Sequence, residues 1–169
     1  MSNTQRVAII TGASQGIGEG LVSAYRKLGY AVVANSRTIT ESDNTWFTLI
    51  TMNQHPLHFD KEYAAKSEFK RPLVNSCLTL SMVVGMSVSD ISQKAIGNLG
   101  WTDIKLPAPV FVGDTIYAES EVLAKRESAS RPGQGLVTVR TIGKKADGTQ
   151  FMSFERTALI AKRGHGIEE

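Results

Sequence analysis

The stretch that decides the fold is SCLTLSMVVGMSVSDIS, residues 76–92. Leu78, Leu80, Met82, Val83, Val84, Met86, Val88 and Ile91 fall on most sides of a helix drawn through it, and a helix apolar on most sides must be wrapped by other structure. It cannot be a membrane span. Leu73 to Val88 is interrupted by Asn75, Ser76, Thr79, Ser81 and Gly85, whereas a span takes roughly 20 apolar residues. The cover therefore has to come from the rest of the chain.

Downstream the supply is strand-like. Residues 96–105, 115–127, 136–145 and 150–162 read as strands, Asp147-Gly148 is a hairpin signal between the last two, and SASRPGQG, 128–135, marks a longer turn. Upstream, Arg6 to Thr11 is a short β-branched run closed by glycine. A helix over about 17–28 carries Leu21, Val22, Tyr25 and Leu28 on one face and stops at Gly29. YAVVANSRTI, 30–39, reads as one second strand. Thr40 and Asp43 have capping-box spacing and open a helix with Trp46, Leu49 and Ile50 as its apolar stripe. Pro56 ends that helix and leaves residues 53–58 in a loop, Asp60 caps a short helix over 61–68, and Arg71-Pro72 breaks it.

With 169 residues and 41% hydrophobic content, the chain can form one sizeable core or one domain with a small appendage. The charged fraction of 21% and net charge of +3 are spread along the chain, a balance that suits an anionic small substrate better than a nucleic acid. Cys77 is the only cysteine, so no internal disulfide and no thiolate metal site can be built; we expect no metal, a cytoplasmic location and a buried Cys77. The N-terminal apolar run is too short for a signal peptide, and no membrane segment is expected.

Three motifs point to chemistry. NQHPLHFD (53–60), RPLVNS (71–76) and PAPVFVGDTIYAESEV (107–122) occur in that order around the apolar helix. On these motifs, residues 37–163 resemble the MaoC-like (R)-specific enoyl-CoA hydratases/dehydratases. The resemblance covers about three quarters of the chain. It implies an α+β hot-dog fold, an antiparallel sheet wrapped around a long central helix, and a homodimer that takes an acyl-CoA substrate and uses no cofactor. By the same resemblance the family's catalytic aspartate falls on Asn53 and its catalytic histidine on His58, while His55 takes the place of an asparagine. The backbone donor for the developing enolate oxygen falls on Ser76 at the head of the central helix, with Asn75 beside it as a substrate-binding position. Asn53 is an amide and cannot accept a proton as a carboxylate does. Proton transfer then rests on His58, alone or with His55. Asp60 reads as a helix cap rather than an acid. These exchanges are similar to those of the β-methylmalyl-CoA dehydratases (mesaconyl-CoA hydratases).

A fourth motif competes. TGASQGIGEG, Thr11 to Gly20, fits T-G-x-x-x-G-x-G, and residues 6–37 resemble the opening β-α-β of short-chain dehydrogenases/reductases. Such a turn brings backbone N–H groups to a pyrophosphate, and the resemblance implies that Arg37 lies near a ribose 2′-phosphate. Yet none of Tyr25, Tyr30, Tyr63 and Tyr117 has a lysine four positions later, and the second half of a dinucleotide crevice is missing. Gly12, Gly16 and Gly18 are therefore read as vestigial. The expected domains are a truncated Rossmann-like segment over 1–36, the hot-dog domain over 37–163 and a tail over 164–169. A non-catalytic acyl-CoA or acyl-carrier binding module is the first rival reading, and an NADP oxidoreductase fragment the second.

Overall fold

The computed structural model of the chain describes residues 7–10, 20–21, 24–25, 27–34 and 36–166. Near the N-terminus, strands β1 (Val7–Ile10) and β2 (Ala31–Ala34) pair in parallel, with Val7 opposite Ala31 and Ile10 opposite Ala34. Helical backbone at Gly20, Leu21, Ala24, Tyr25 and Lys27 lies between them in sequence, as a parallel pair requires of its crossover. Gly12, Gly16 and Gly18 lie outside the described residues.

The single strand expected over 30–39 is two strands. After β2 comes β3 (Ser36–Thr38), which pairs antiparallel with residues 115–117, Ser36 opposite Tyr117 and Thr38 opposite Thr115. The stretch divides because its two ends serve different ladders, one parallel and one antiparallel. Since β3 already begins at Ser36, the antiparallel sheet starts one residue before the boundary expected at 36/37.

Among the described residues the remaining elements follow in sequence order. Helices α1 (Glu41–Ile50) and α2 (Lys61–Lys66) flank a 3₁₀ turn at Pro56–His58. Helix α3 (Ser76–Met86) leads to a π turn at Val88–Ser92 and then to β4 (Ala95–Lys105), β5 (Thr115–Glu127), β6 (Gln134–Lys145) and β7 (Gln150–Ala161). The main sheet has the order β3-β5-β6-β7-β4. An antiparallel five-stranded sheet with an apolar helix is the α+β arrangement expected. No described helix is long and apolar enough to cross a membrane.

The chain divides into two compact units, residues 1–79 with 110–117 and residues 80–109 with 118–169. In the first, the segment ahead of α3 is stitched to the turn ahead of β5. Val74 N–H donates to Val110 O at 2.9 Å, and Leu73 bridges Phe111. The Arg71 guanidinium lies 3.9 Å from the centre of the Phe111 ring. Gly113, at φ 92°, donates to Ile39 O at 2.8 Å. That left-handed backbone explains why the turn P-V-x-x-G-D carries glycine. Asp114 closes it by accepting from Phe111 N–H at 3.0 Å.

The second unit is built on β7. Phe151, Met152, Phe154, Ala158 and Leu159 are buried, with Val83 of α3 and Val139 of β6. Gly143 is opposite Met152, and a Cβ added there would lie 2.6 Å from Cζ of Phe151, so the ring occupies the space a side chain would need. The helix expected over 76–92 is shorter as an α-helix. Ser87 ends the α-helical turns, its Oγ donating to Val84 O at 2.7 Å. The same Oγ accepts from Nη2 of Arg156 at 3.1 Å. Arg156 is only 1% exposed, and burial holds its pKa below the usual guanidinium value.

Candidate active site

The site is assembled from the first unit. Thr40 caps α1 through a complete capping box: its hydroxyl accepts from Asp43 N–H at 3.1 Å, and Asp43 Oδ2 accepts from Thr40 N–H at 2.9 Å. Burial pushes the Asp43 carboxyl up, but its bonds from Thr40 and Arg37 outweigh this and hold it below the ordinary carboxylate range. Arg37 is 2.6 Å from Asp43 Oδ1. Its charge therefore braces a helix start, the place the nucleotide analogy had given to a phosphate.

The face that α1 buries is not its apolar stripe. Trp46, Leu49 and Ile50 are exposed by 68%, 63% and 73%, whereas Asn44 and Thr48 are each 2% exposed. Asn44 and Thr48 are four residues apart and so share one side of the helix. Asn44 Nδ2 donates to His58 O at 2.8 Å and to Leu73 O at 3.3 Å, and its Oδ1 accepts from Asn75 N–H at 2.9 Å. Thr48 O accepts from Asn53 N–H at 3.0 Å and carries the chain into the motif loop.

Within that loop the two histidines are held in opposite ways. Nδ1 of His55 accepts from Leu57 N–H at 3.2 Å and caps the 3₁₀ turn. A nitrogen that accepts carries no proton, so the neutral ring of His55 has its proton on Nε2. Nδ1 of His58 lies 2.9 Å from Leu73 O. A carbonyl oxygen can only accept, so here Nδ1 is the donor, and in the neutral ring the lone pair lies on Nε2. The ring centres are 6.0 Å apart. Asn53 Oδ1 accepts from His55 N–H at 3.1 Å. Asp60 accepts from Tyr63 N–H at 3.0 Å and caps α2, as expected.

At the head of α3, Asn75 is 3% exposed and accepts from Cys77 N–H at 2.9 Å through Oδ1. That bond fixes which end of the amide is oxygen. Its Nδ2 is buried and has no hydrogen-bond partner, as is Oγ1 of Thr48. The Ser76 N–H belongs to the first turn of α3, where no intrahelical acceptor exists and the helix end carries partial positive charge. Ser76 itself is exposed. Cys77 is also exposed, which corrects the expectation of a core residue: it follows the cap, on a turn that α3 leaves open.

An open cleft of about 300 Å³ adjoins the loop, lined by Thr45, Thr48, Leu49, Met52, Asn53, Gln54 and Phe59. Asn53 thus reaches a mostly apolar cleft, while His58, His55, Asn75 and Ser76 do not line it. Sequence reasoning missed Asn44 and Thr48. The available signal was an amide and a hydroxyl four residues apart in the helix that precedes the motif.

Comparison with known proteins identifies the family and the fold. The family model described as MaoC like domain matches residues 25–145. The mesaconyl-CoA hydratase of Cereibacter sphaeroides is 31% identical over 138 residues, which is 81% of this chain and 40% of that protein. The chain therefore spans about two fifths of the length of that relative. The solved structure of the (R)-hydratase of A. caviae involved in PHA biosynthesis is 28% identical, with a TM-score of 0.62 over 75% of this chain and 91% of that one. A Mycobacterium tuberculosis protein described as a double hotdog fold is 21% identical and superposes with a TM-score of 0.69 over 78% of this chain and 42% of that one, a likeness of fold alone.

Proposed function

The chain belongs to the MaoC-like domain family, and on that premise we propose that it is a hydro-lyase that adds or removes water across the double bond of an enoyl-CoA thioester. The observation that carries the proposal is the contact between His58 Nδ1 and Leu73 O at 2.9 Å. With Nδ1–H committed to Leu73 O, Nε2 is the nitrogen able to take a proton from water. Asn53 orients that water, because an amide can bond it but cannot deprotonate it. Attack at the β-carbon moves charge to the thioester oxygen. The Ser76 N–H, at the positive end of α3, is the donor assigned to that oxygen. Protonation of the α-carbon then completes the addition, with His58 as the carrier and His55, through Nε2–H, as the second candidate. Asn75, whose Nδ2 has no hydrogen-bond partner, is the substrate-binding position beside Ser76. Hydration is redox-neutral, so the mechanism calls on no nucleotide.

A branched or carboxylated acyl group, as in mesaconyl-CoA or β-methylmalyl-CoA, is the substrate we favour. Its support is the mesaconyl-CoA hydratase relative at 31% identity. We assign the residues ahead of Ser36 to a truncated segment similar to the first β-α-β of short-chain dehydrogenases/reductases, fused to a hot-dog domain that begins at Ser36 and runs to about residue 163, with a tail over 164–169. The parallel pairing of β1 with β2 supports that assignment. A homodimer in the cytoplasm completes the proposal. Its support is the exposed apolar row Ile96, Leu99, Trp101 and Ile104 on the outer strand β4, together with the absence of any disulfide framework.

One observation favours a second reading, a non-catalytic acyl-CoA binding module: the amide at Asn53, whose oxygen already accepts from His55 N–H. Loss of enoyl-thioester absorbance with crotonyl-, mesaconyl- and longer enoyl-CoA separates the two. We expect turnover with at least one of them. Saturable binding of every thioester without turnover would establish the binding module instead.

A further inference from the structure

Asn44 lies on α1, 2% exposed, and its amide makes three hydrogen bonds to backbone groups. Its orientation is set by those partners. His58 O and Leu73 O can only accept and Asn75 N–H can only donate, so a flipped amide would oppose all three. One side chain thereby touches the backbone of the histidine loop and the backbone of the residue just ahead of Ser76.

Leu73 O is the point where these contacts meet. It receives Nδ1 of His58 at 2.9 Å and Nδ2 of Asn44 at 3.3 Å, which occupies both of its lone pairs. An acceptor free to swing away would release the imidazole to exchange tautomers, and Nε2 would lose its lone pair for part of the time. Asn44 Nδ2 donates to that acceptor and, at 2.8 Å, to His58 O as well, so one amide ties both carbonyls.

We infer that Asn44 is a positioning residue: through Leu73 O it locks His58 in the Nδ1–H tautomer, and through Asn75 N–H it sets the head of α3 at a fixed spacing from that ring. The inference rests on the role of His58 proposed above. It goes beyond that role in naming what holds the base and the oxyanion donor in one frame. Neither the apolar stripe nor the motif spacing of the loop contains this residue.

The test uses the full chain with Asn44→Asp and Asn44→Ala. The aspartate keeps an acceptor for Asn75 N–H but turns an oxygen toward two carbonyl oxygens, and the alanine removes both anchors. Two readouts are taken. Long-range ¹H–¹⁵N spectra of the imidazoles at about pH 8, above the ordinary histidine range, need no substrate. Steady-state hydration of mesaconyl- or crotonyl-CoA gives kcat and KM separately. In the parent chain His58 is expected as the Nδ1–H tautomer and His55 as the Nε2–H tautomer, each serving as a control for the other. In the variants the His58 signals move toward a tautomer mixture, and kcat falls by about 10²-fold, the scale of a small misplacement of a reacting group, with KM nearly constant. If Asn44→Asp fails to fold, Asn44→Ala carries the same readouts. Unchanged His58 signals in a folded variant overturn the inference, whether kcat is intact or lost. A parent chain that hydrates no thioester refutes the proposed function instead, and the imidazole spectra still decide whether Asn44 governs the ring.

Discussion

His58 Nδ1 and Leu73 O are 2.9 Å apart, a contact between residues 15 positions apart in sequence. Because it consumes the Nδ1 proton, the ring's reactivity is concentrated in Nε2. His58→Ala should therefore lower kcat by about 10²- to 10⁴-fold, the usual contribution of one acid–base residue. The variant should stay folded, since His58 is only half-buried in its turn. Near-parental turnover, measured on the same enoyl-CoA, would rule out this ring as the proton carrier.

Asn53→Asp tests the amide. The new carboxylate can still accept from His55 N–H, as Asn53 Oδ1 does at 3.1 Å, and it adds a group able to take a proton. Activity on a simple enoyl-CoA should be equal or higher. A fall of tenfold or more, by the order-of-magnitude rule that tenfold is about 1.4 kcal/mol of barrier, would mean that the amide itself recognises the substrate.

Acid should loosen the start of α1. Asp43 has a depressed folded pKa, so its contribution is fully present above the unfolded value of about 3.9 and disappears as pH falls through the folded value. Thr40→Ala removes the other half of the box at neutral pH, at a cost of about 1 kcal/mol. Thermal melts at neutral pH and below pH 4 should show the Thr40→Ala deficit shrinking in acid. A deficit that stays constant across that range would show that the cap does not depend on the carboxylate.

Gly143→Ala should destabilise the second unit. The added carbon would lie 2.6 Å from Phe151 Cζ, and overpacking of this kind costs about 1–3 kcal/mol. For a chain of this length that lowers the melting temperature by roughly 2–4 °C per kcal/mol. The double variant with Phe151→Leu should recover part of the loss; if it is simply the sum of the two single losses, the ring is not the obstacle.

Sequence carried the local features well. The capping box, the Asp60 cap and the Asp147-Gly148 hairpin, with Gly148 at φ 86°, each depend on residues a few positions apart. Orientation was less legible. The apolar stripe of α1 identified which residues are greasy but not which way they point, and here Asn44 and Thr48 take the buried side. Asn44 bonds to residues 14, 29 and 31 positions away, so the i, i+4 pairing with Thr48 could mark a polar face but not what that face meets. The division of 30–39 into two strands had the same origin, because its cause lies in distant partners.

The strand order leaves the main sheet two free margins, and they are protected by different means. β3 is protected by brevity: three residues give a foreign strand little to grip. β4 is protected by irregularity. It is 11 residues long, but its register against β7 slips between Ala95 and Gly97, between Asn98 and Gly100, and between Thr102 and Lys105, with Asp103 at φ 51°. A straight strand from a misfolded chain cannot follow so interrupted a line of N–H and C=O groups. The apolar side chains that β4 displays can thus be offered to water or to a matched surface without the margin becoming a seed for fibres.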